Sequence, residues 1–484
     1  MKLKKLINEI KGSAFARFKD FEVRGISCNS KAVQNDFVFV AINGNNADGH
    51  VFIKEALAKG ARALLVERLE LPKEARAANV CVVKVKDTRK AAGLLAAAFY
   101  GFPSASLKTV GVTGTNGKTT ITYAIEAILK EAGYFPAVIG TVNYRFGSTV
   151  EPSKNTTPGP VELQALLARM RESGVEYVAM EVSSHALDQG RTEGIDFHSA
   201  IFTNLTQDHL DYHRDVKQYF LAKSKLFTCL KKEAFAIVNT DDPYGKKLKS
   251  LTRAEVITYG IAQKADVMAN GIKLGVGGSA FFLKTARIKI PMRTQLIGEH
   301  NVYNLLATSA WAMRAGIDVS VIQAALEKLQ VVPGRLEKVS GNGGFSVFVD
   351  YAHTEDALAN VLTALRQFAR RRIVVVFGCG GGRDKTKRPK MGRVVSELAD
   401  YAIITSDNPR REDPGDIIAE IKKGIRKDNY CVVVERMEAI RKSLSLAKPG
   451  DIVLIAGKGH EEYQIFKDRT IHFDDREAVR QCLL

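Results

Sequence analysis

The stretch Val110-Gly111-Val112-Thr113-Gly114-Thr115-Asn116-Gly117-Lys118-Thr119-Thr120 decides how the rest of the chain is read. A short β-branched run precedes it (107–112) and a helically spaced run follows it (121–130), so its glycines sit where a strand becomes a helix. Such a turn leaves backbone N–H groups unpaired beside the positive end of the helix dipole, which is a site for an anion. Gly114 and Gly117 permit the dihedrals and the close phosphate approach that a side chain would block. Lys118 supplies a point charge for β/γ oxygens, and the Thr119 hydroxyl suits a magnesium ion. The first glycine of the strict phosphate-loop pattern would fall at Val112, so the spacing departs from that pattern. Strand, glycines, Lys-Thr and helix nevertheless follow in order. Gly114, Thr115, Asn116, Gly117, Lys118, Thr119 and Thr120 are therefore read as a nucleotide site.

A chain of 484 residues is too long for one core and predicts about three domains. Its 45% hydrophobic content excludes a disordered protein. No apolar run approaches the roughly 20 residues of a membrane span, and no signal-type apolar core follows the basic segment 1–11. A cytoplasmic protein without membrane insertion is expected. The six cysteines are scattered without a C-x-x-C pair, which argues against structural zinc or a disulfide framework and for buried, reduced thiols. Lys plus Arg less Asp plus Glu is 71 − 53 = +18. The excess is spread along the chain, so it reads as solvated surface rather than a nucleic-acid footprint.

The fold class predicted is α/β in three domains. Residues 1–101 mix short strands (26–30, 37–41, 63–67) with helices (51–59, 88–100), and 101–106 reads as a linker. In 102–334, apolar strand-like runs at 177–181, 200–205, 235–239 and 256–259 alternate with helices, the signature of a mostly parallel sheet with crossovers. Residues 270–293 read as a small antiparallel insertion. After Gly334 the alternation restarts (345–351, 373–377, 401–406, 431–435, 452–456), giving a Rossmann-like C-terminal domain over 335–484. Its glycine string 378–382 lacks G-x-G-x-x-G spacing, so no nicotinamide site is read there.

Ligands of open parallel sheets sit beyond the carboxyl ends of the strands, and the unusual polar residues fall there. Glu181 closes one strand and suits coordination of a magnesium held by Thr119 and phosphates. Thr203-Asn204-Leu205-Thr206-Gln207-Asp208-His209-Leu210-Asp211-Tyr212-His213 follows another, with His209 a candidate metal ligand. Lys223 sits on an amphipathic helix, and by composition alone reads as a solvated lysine. Four of five C-terminal strands end in charged clusters, Asp350 to Thr354, Arg383 to Arg388, Asp407 to Arg410 and Gly457 to Glu461. That common phase predicts a second binding surface facing the phosphate loop, suited to phosphoryl charge or to a zwitterion.

The ordered set G-T-N-G-K-T-T, E-V-S-S-H-A-L, T-N-L-T-Q-D-H-L-D-Y-H, G-E-H-N-V-Y-N, P-G-R-L-E, V-D-Y-A-H-T, D-N-P-R and G-K-G-H-E resembles the Mur ligases of peptidoglycan synthesis, end to end. The resemblance is strongest to the branch that adds meso-diaminopimelate to UDP-N-acetylmuramoyl-L-alanyl-D-glutamate. It implies that the first domain binds UDP, the second ATP and the third the incoming amino acid. It further implies that Ser30 contacts the UDP moiety, within Asn29-Ser30-Lys31 where the family has Asp-Ser-Arg. Asn155, Thr156, Thr157, Ser183, Gln189 and Arg191 match the muramoyl-dipeptide contacts. Asn301, Asn304, Arg335 and His353 match positions near the nucleotide. Lys223 matches a lysine that the family carbamylates with CO2 to N6-carboxylysine, organising a second magnesium with Glu181 and His209. Glu355 stands where the family usually has proline.

By the same resemblance, Arg383, Asp407, Asn408, Pro409, Arg410, Gly457 and Glu461 hold diaminopimelate, and lysine-adding relatives lack the arginine at the position of Arg410. The chemistry agrees, because a guanidinium grips the far-end carboxylate of diaminopimelate in a planar fork. The implied reaction is ATP-driven amide formation with Lys118, Lys223 and His209 catalytic. The substrates are small molecules, no nucleic acid is expected, and a monomer is expected.

Two rivals lie within the superfamily, a lysine-adding ligase and a folylpolyglutamate-type ligase. A basic phosphate-loop ATPase acting on nucleic acid is a rival from another class, but no aromatic-rich basic stretch supports it.

Overall fold

Thr109, Val110 and Val112 anchor the largest sheet because a strand buried on both faces needs apolar or small residues at successive positions. The computed structural model describes residues 1–44, 47–77, 80–339 and 344–483. Around the strand Lys108–Thr113 runs an 11-stranded sheet. Its parallel centre joins Glu255–Gly260, Phe235–Asn239, Phe197–Phe202, Lys108–Thr113, Tyr177–Glu181 and Pro136–Ile139 in that spatial order. Alternation splits the burial between two cores: Val110, Val112 and Ala179 face one, Val178 and Met180 the other. The helix Glu299–Arg314 covers the first face with fully buried Trp311, whose Nε1 donates to Ser199 Oγ at 3.0 Å.

The expected antiparallel stretch is present as Val267–Gly275, Gly278–Lys284 and Lys289–Thr294. It is no separate insertion, since Val267–Gly275 pairs in parallel with Glu255–Gly260 and extends the main sheet. At the other edge, Asn143–Phe146 and Thr149–Pro152 form a hairpin that the sequence reading missed. Each strand is only four residues long, and although Tyr144 and Phe146 turn inward from the first, the second buries no apolar side chain.

The N-terminal sheet has five strands, ordered Ala14–Arg17, Cys81–Lys84, Ala61–Val66, Phe37–Val40 and Gly25–Ser27. The turn Pro103–Ala105 that follows is packed rather than loose, with Pro103 and Ser104 buried. The C-terminal sheet runs Glu337–Val339, Ser346–Asp350, Ile452–Ala456, Ile373–Phe377, Tyr401–Ile404 and Tyr430–Val432, all parallel except the first. The last strand is shorter than the apolar run around it, because it is an edge with one partner. A two-stranded hairpin, Tyr463–Ile465 with Thr470–His472, was not foreseen.

Among the described residues no helix is long and apolar enough to cross a membrane. Of the six free cysteines, Cys81 and Cys379 are buried as expected, whereas Cys229 is exposed.

Candidate functional site

Three neighbouring strands of the central sheet end together, since Val112 pairs with Glu181 and Thr113 with Phe202. The loops after them therefore converge. Gly114 has φ +149°, and a Cβ there would stand 1.8 Å from Thr203 Oγ1. Gly117, at φ +90°, caps the helix Lys118–Glu131, and its Cβ would stand 2.3 Å from Asn304 Oδ1. Glycine is required at both positions by close approach as well as by dihedral. The loop after Phe202 braces this turn: Thr203 Oγ1 donates to Asn116 O at 2.6 Å, and Asn116 N donates to Asn204 Oδ1 at 3.0 Å. Lys118 Nζ donates to Gly114 O at 2.8 Å and Thr115 O at 2.7 Å. Burial lowers its pKa, opposed by the charges of Glu181 and Asp208. Asn304 Nδ2 donates to Asn301 Oδ1 at 3.0 Å, and Arg335 Nη2 to Thr119 Oγ1 at 3.1 Å.

Lys223 overturns the bland reading of a solvated lysine. It is only 1% exposed, and its Nζ donates to Gly114 O at 2.8 Å. Burial, then the nearby charge of Lys118, holds its amine well below the ordinary 10.5. An uncharged amine is the form that attacks CO2. Glu181, also buried, accepts from Thr141 N and Thr141 Oγ1, each at 2.9 Å. His209 adopts a left-handed φ of +55°, and its Nε2 lies 3.3 Å from Asp208 Oδ2. Its ring meets that of His185 edge to face at 4.7 Å. Among the described residues no group of three or more His, Cys, Asp or Glu is arranged to hold a metal. The hydroxyl of Thr119 and the carboxylate of Glu181 suit an oxygen-ligated magnesium that draws further ligands from phosphates. Lys223 joins such a set only once its amine carries a carboxylate.

A cavity of about 510 Å³ opens beside these loops, between the central and C-terminal sheets. Its central-sheet wall carries Asn155, Thr156, Ser183, Arg191, Asp208 and His209. Arg191 is aimed by Gln189, whose Oε1 accepts from Nε at 2.9 Å and Nη2 at 2.7 Å, and by Thr157 O at 2.9 Å. Thr157 is buried behind the wall and donates to Glu181 O at 2.9 Å. Ser30 lies elsewhere, in the N-terminal unit, where its Oγ donates to Glu55 Oε2 at 2.6 Å.

The opposite wall comes from the C-terminal strand ends, which parallel pairing lines up side by side. His353, Arg383, Asp407, Asn408, Arg410, Gly457 and Glu461 all reach this cavity. Pro409 shapes the loop behind it: its carbonyl would meet a Cβ on Gly381 at 1.9 Å. Arg410 has φ +54°, a strained setting for a side-chain-bearing residue, and its Nη1 donates to Gly381 O at 2.9 Å. Asn408 Nδ2 donates to Glu461 Oε2 at 2.8 Å. Burial, then repulsion from Asp407, raises the Glu461 pKa, so a cation beside it is favoured. Gly457, at φ +116°, leaves room for Asp407 Oδ2, which would lie 2.6 Å from a Cβ.

Sequence reasoning missed several participants. Asp356 Oδ2 accepts from Asn116 Nδ2 at 2.9 Å and Thr206 Oγ1 at 2.8 Å, joining the two sheets. Thr141, which holds Glu181, and His185, which lies against His209, were also unassigned. His185 stood inside the quoted E-V-S-S-H-A-L motif. Asp356, one residue past the odd Glu355, had only its place in the first turn of a helix as a signal.

Three family models match the chain: "Mur ligase family, catalytic domain" over 22–100, "Mur ligase middle domain" over 112–312 and "Mur ligase, glutamate ligase domain" over 334–459. A UDP-N-acetylmuramoyl-L-alanyl-D-glutamate--2,6-diaminopimelate ligase of Syntrophomonas wolfei is 44% identical over 96% of this chain and 95% of its own. The enzyme of that name in Geobacillus thermodenitrificans is 45% identical over 100% and 99%. A solved structure under the same name superposes with a TM-score of 0.68 at 33% identity, covering 95% of this chain and 94% of the other. MurF ligase from Thermotoga maritima, solved in complex with ADP, shares the fold at a TM-score of 0.64 and 21% identity, covering 95% and 97%.

Proposed function

The chain belongs to the Mur ligase family, and from that premise we propose that it is an ATP-dependent amide ligase joining meso-diaminopimelate to UDP-N-acetylmuramoyl-L-alanyl-D-glutamate. One observation carries the reading to this site: a single cavity has phosphate-loop neighbours on one wall and Arg383, Arg410 and Glu461 on the other. In this reading residues 1–101 bind UDP around Ser30, 102–334 bind ATP and the muramoyl-dipeptide, and 335–484 bind the amino acid. The protein acts as a cytoplasmic monomer on small molecules, in peptidoglycan precursor synthesis.

The chemistry follows from these groups. The D-glutamate γ-carboxylate attacks the γ-phosphorus of ATP, forming an acyl phosphate and releasing ADP. The amine of diaminopimelate then attacks the acyl carbon, giving a tetrahedral intermediate from which inorganic phosphate leaves as the amide forms. Lys118 and Arg335 offset the charge that builds on the transferred group. Asn155, Thr156, Thr157, Ser183, Gln189 and Arg191 orient the dipeptide so that its carboxylate meets the phosphate in line. Arg410 and Arg383 take the far-end carboxylate of diaminopimelate, with Glu461 on its far ammonium. Magnesium, when bound by Thr119, Glu181, His209 and the Lys223 carbamate, supplies charge neutralisation at the phosphates. The Lys223 nitrogen, its pKa lowered by burial, forms that carbamate when its neutral form attacks CO2 carbon and loses one proton. Asn301, Asn304 and His353 flank the nucleotide.

The deciding assay is phosphate release with ATP, UDP-muramoyl-dipeptide and either meso-diaminopimelate or lysine. Release that depends on meso-diaminopimelate supports the reading. Preference for lysine moves the protein to the lysine-adding branch, and activity on a folate-type acceptor moves it to the folylpolyglutamate-type enzymes.

A further inference from the structure

Arg388 is fully buried in the helix Lys387–Leu398, outside the residues that line the cavity. Its Nη1 donates to Glu412 Oε2 at 2.9 Å and Glu420 Oε2 at 2.8 Å. Its Nη2 donates to Glu412 Oε1 at 3.1 Å and Gly380 O at 3.3 Å. Glu412 in turn accepts from Gly382 N at 2.5 Å. One guanidinium therefore pins the glycine string 380–382 to the loop that carries Asn408, Pro409 and Arg410. The two loops also touch directly, through Gly381 N donating to Asn408 O at 2.9 Å and Arg410 Nη1 donating to Gly381 O at 2.9 Å.

An ion pair that buries its guanidinium and leaves its carboxylates part-exposed is weak evidence for stability, because desolvation of the arginine offsets much of the attraction. Fixing one geometry among alternatives is a better account of such a pair. That need is visible here, since Arg410 keeps a left-handed backbone at φ +54°, which is strained and persists only if its surroundings impose it. Lysine cannot replace Arg388 in this role, because a single ammonium does not match the planar fork that meets Glu412 and Gly380 together.

We propose that Arg388, through Glu412 and the Gly380 carbonyl, is a positioning residue that sets the spacing of Arg383 and Arg410 and thereby selects an amino acid with a far-end carboxylate. The proposal rests on the diaminopimelate reading of this wall. Glu420 provides the internal control: it shares the same guanidinium but belongs to the helix Pro414–Lys422, outside both loops.

The test uses the full chain, measuring phosphate release and melting temperature for wild type, Arg388→Lys, Glu412→Gln and Glu420→Gln. Arg388→Lys and Glu412→Gln are expected to raise the KM for meso-diaminopimelate by about 10- to 100-fold, the scale of a misplaced contact, and to narrow its preference over lysine. Their KM values for ATP and for UDP-muramoyl-dipeptide stay near wild type. Glu420→Gln leaves the meso-diaminopimelate KM near wild type even where it lowers the melting temperature. Should Arg388→Lys fail to fold, the contrast between Glu412→Gln and Glu420→Gln decides alone. Equal KM increases in those two variants, or a parallel rise for all three substrates, overturn the proposal. A wild type without meso-diaminopimelate turnover overturns the activity and the proposal together, whereas an active wild type with unaffected variants overturns the positioning role only.

Discussion

Asp356 Oδ2 accepts a hydrogen bond from Asn116 Nδ2 at 2.9 Å, linking residues 240 positions apart. The donor belongs to the phosphate loop and the acceptor to the first turn of the helix Glu355–Arg366 in the C-terminal sheet's layer. Thr206 Oγ1 adds a second bond to the same oxygen at 2.8 Å. The contact thus fastens the C-terminal wall of the cavity to its central-sheet wall.

Asp356→Ala removes both bonds. Each hydrogen bond to a charged group contributes about 1.5–3 kcal/mol, so the melting temperature is expected to fall, and kcat to fall at least tenfold where the two walls must stay joined. Small-angle scattering of wild type with an ATP analogue should show a smaller radius of gyration than the variant. Wild-type kcat in Asp356→Ala would remove the contact from the catalytic cycle.

Burial, then the charge of Lys118, holds the Lys223 amine well below the ordinary lysine pKa of 10.5, which favours the form that takes up CO2. With ¹³C-bicarbonate at neutral pH, a carbamate carbon resonance is expected in wild type and lost in Lys223→Arg. Activity in Lys223→Ala should drop by roughly 10²- to 10³-fold, the range for loss of one preorganised charge-stabilising group. Unchanged turnover in that variant would contradict the carbamate role.

Selection of the amino acid should fail in two separable ways. Arg410→Ala is expected to cost about 2–5 kcal/mol in kcat/KM for meso-diaminopimelate and far less for lysine, because one partner of a charge pair is removed. Gly457→Ala acts indirectly, by driving a Cβ against Asp407 Oδ2, and should raise the meso-diaminopimelate KM without altering that for ATP. An Arg410→Ala enzyme that keeps wild-type discrimination would rule out the assignment.

Acid should destabilise the protein through two half-buried imidazoles. Burial, then the charge of Lys387, holds His353 down to about 4 from 6.5. Burial, then Arg335, holds His460 down to about 3 from 6.5. Both folded pKa values lie below the unfolded ones, so the unfolded chain binds protons that the folded chain refuses. Stability is full above about pH 6.5 and falls as pH drops toward 4, by up to about 1.4 kcal/mol per pH unit for each group. Urea midpoints at pH 7.5, 5.5 and 4.5 should decline in wild type and flatten in His353→Gln with His460→Gln. A wild-type midpoint constant across that range would count against neutral burial.

The Glu412 carboxylate gives a second, lower window. The hydrogen bond from Arg388 leads the effects that hold it down to about 2 from 4.5. Its contribution is present above pH 4.5 and lost as pH falls toward 2, so Glu412→Gln should differ from wild type most at neutral pH and least in acid.

The strand-to-helix turn was legible because its signal is local: Gly114, Gly117, Lys118 and Thr119 fall where the strand Lys108–Thr113 gives way to the helix Lys118–Glu131. The four charged C-terminal clusters were legible for a related reason, since parallel strands bring their carboxyl ends to one edge whatever the detail. The hairpin Asn143–Phe146 and Thr149–Pro152 was not, because each strand is only four residues long and the second buries no apolar side chain. Lys223 was misread from its own helix, where nothing announces that Gly114 O, from a loop far earlier in the chain, will accept from its amine.

The sequence by itself therefore determined the α/β class, the phosphate turn and which strand ends bear charge, since each depends on neighbours a few residues apart. Only the tertiary structure decided that the Lys223 pKa is lowered, that Asp356 reaches Asn116 and that buried Arg388 ties the loop of Arg410 to the glycine string. Burial and hydrogen bonding between distant segments shift a pKa or fix a strained backbone, and neither is encoded in spacing along the chain.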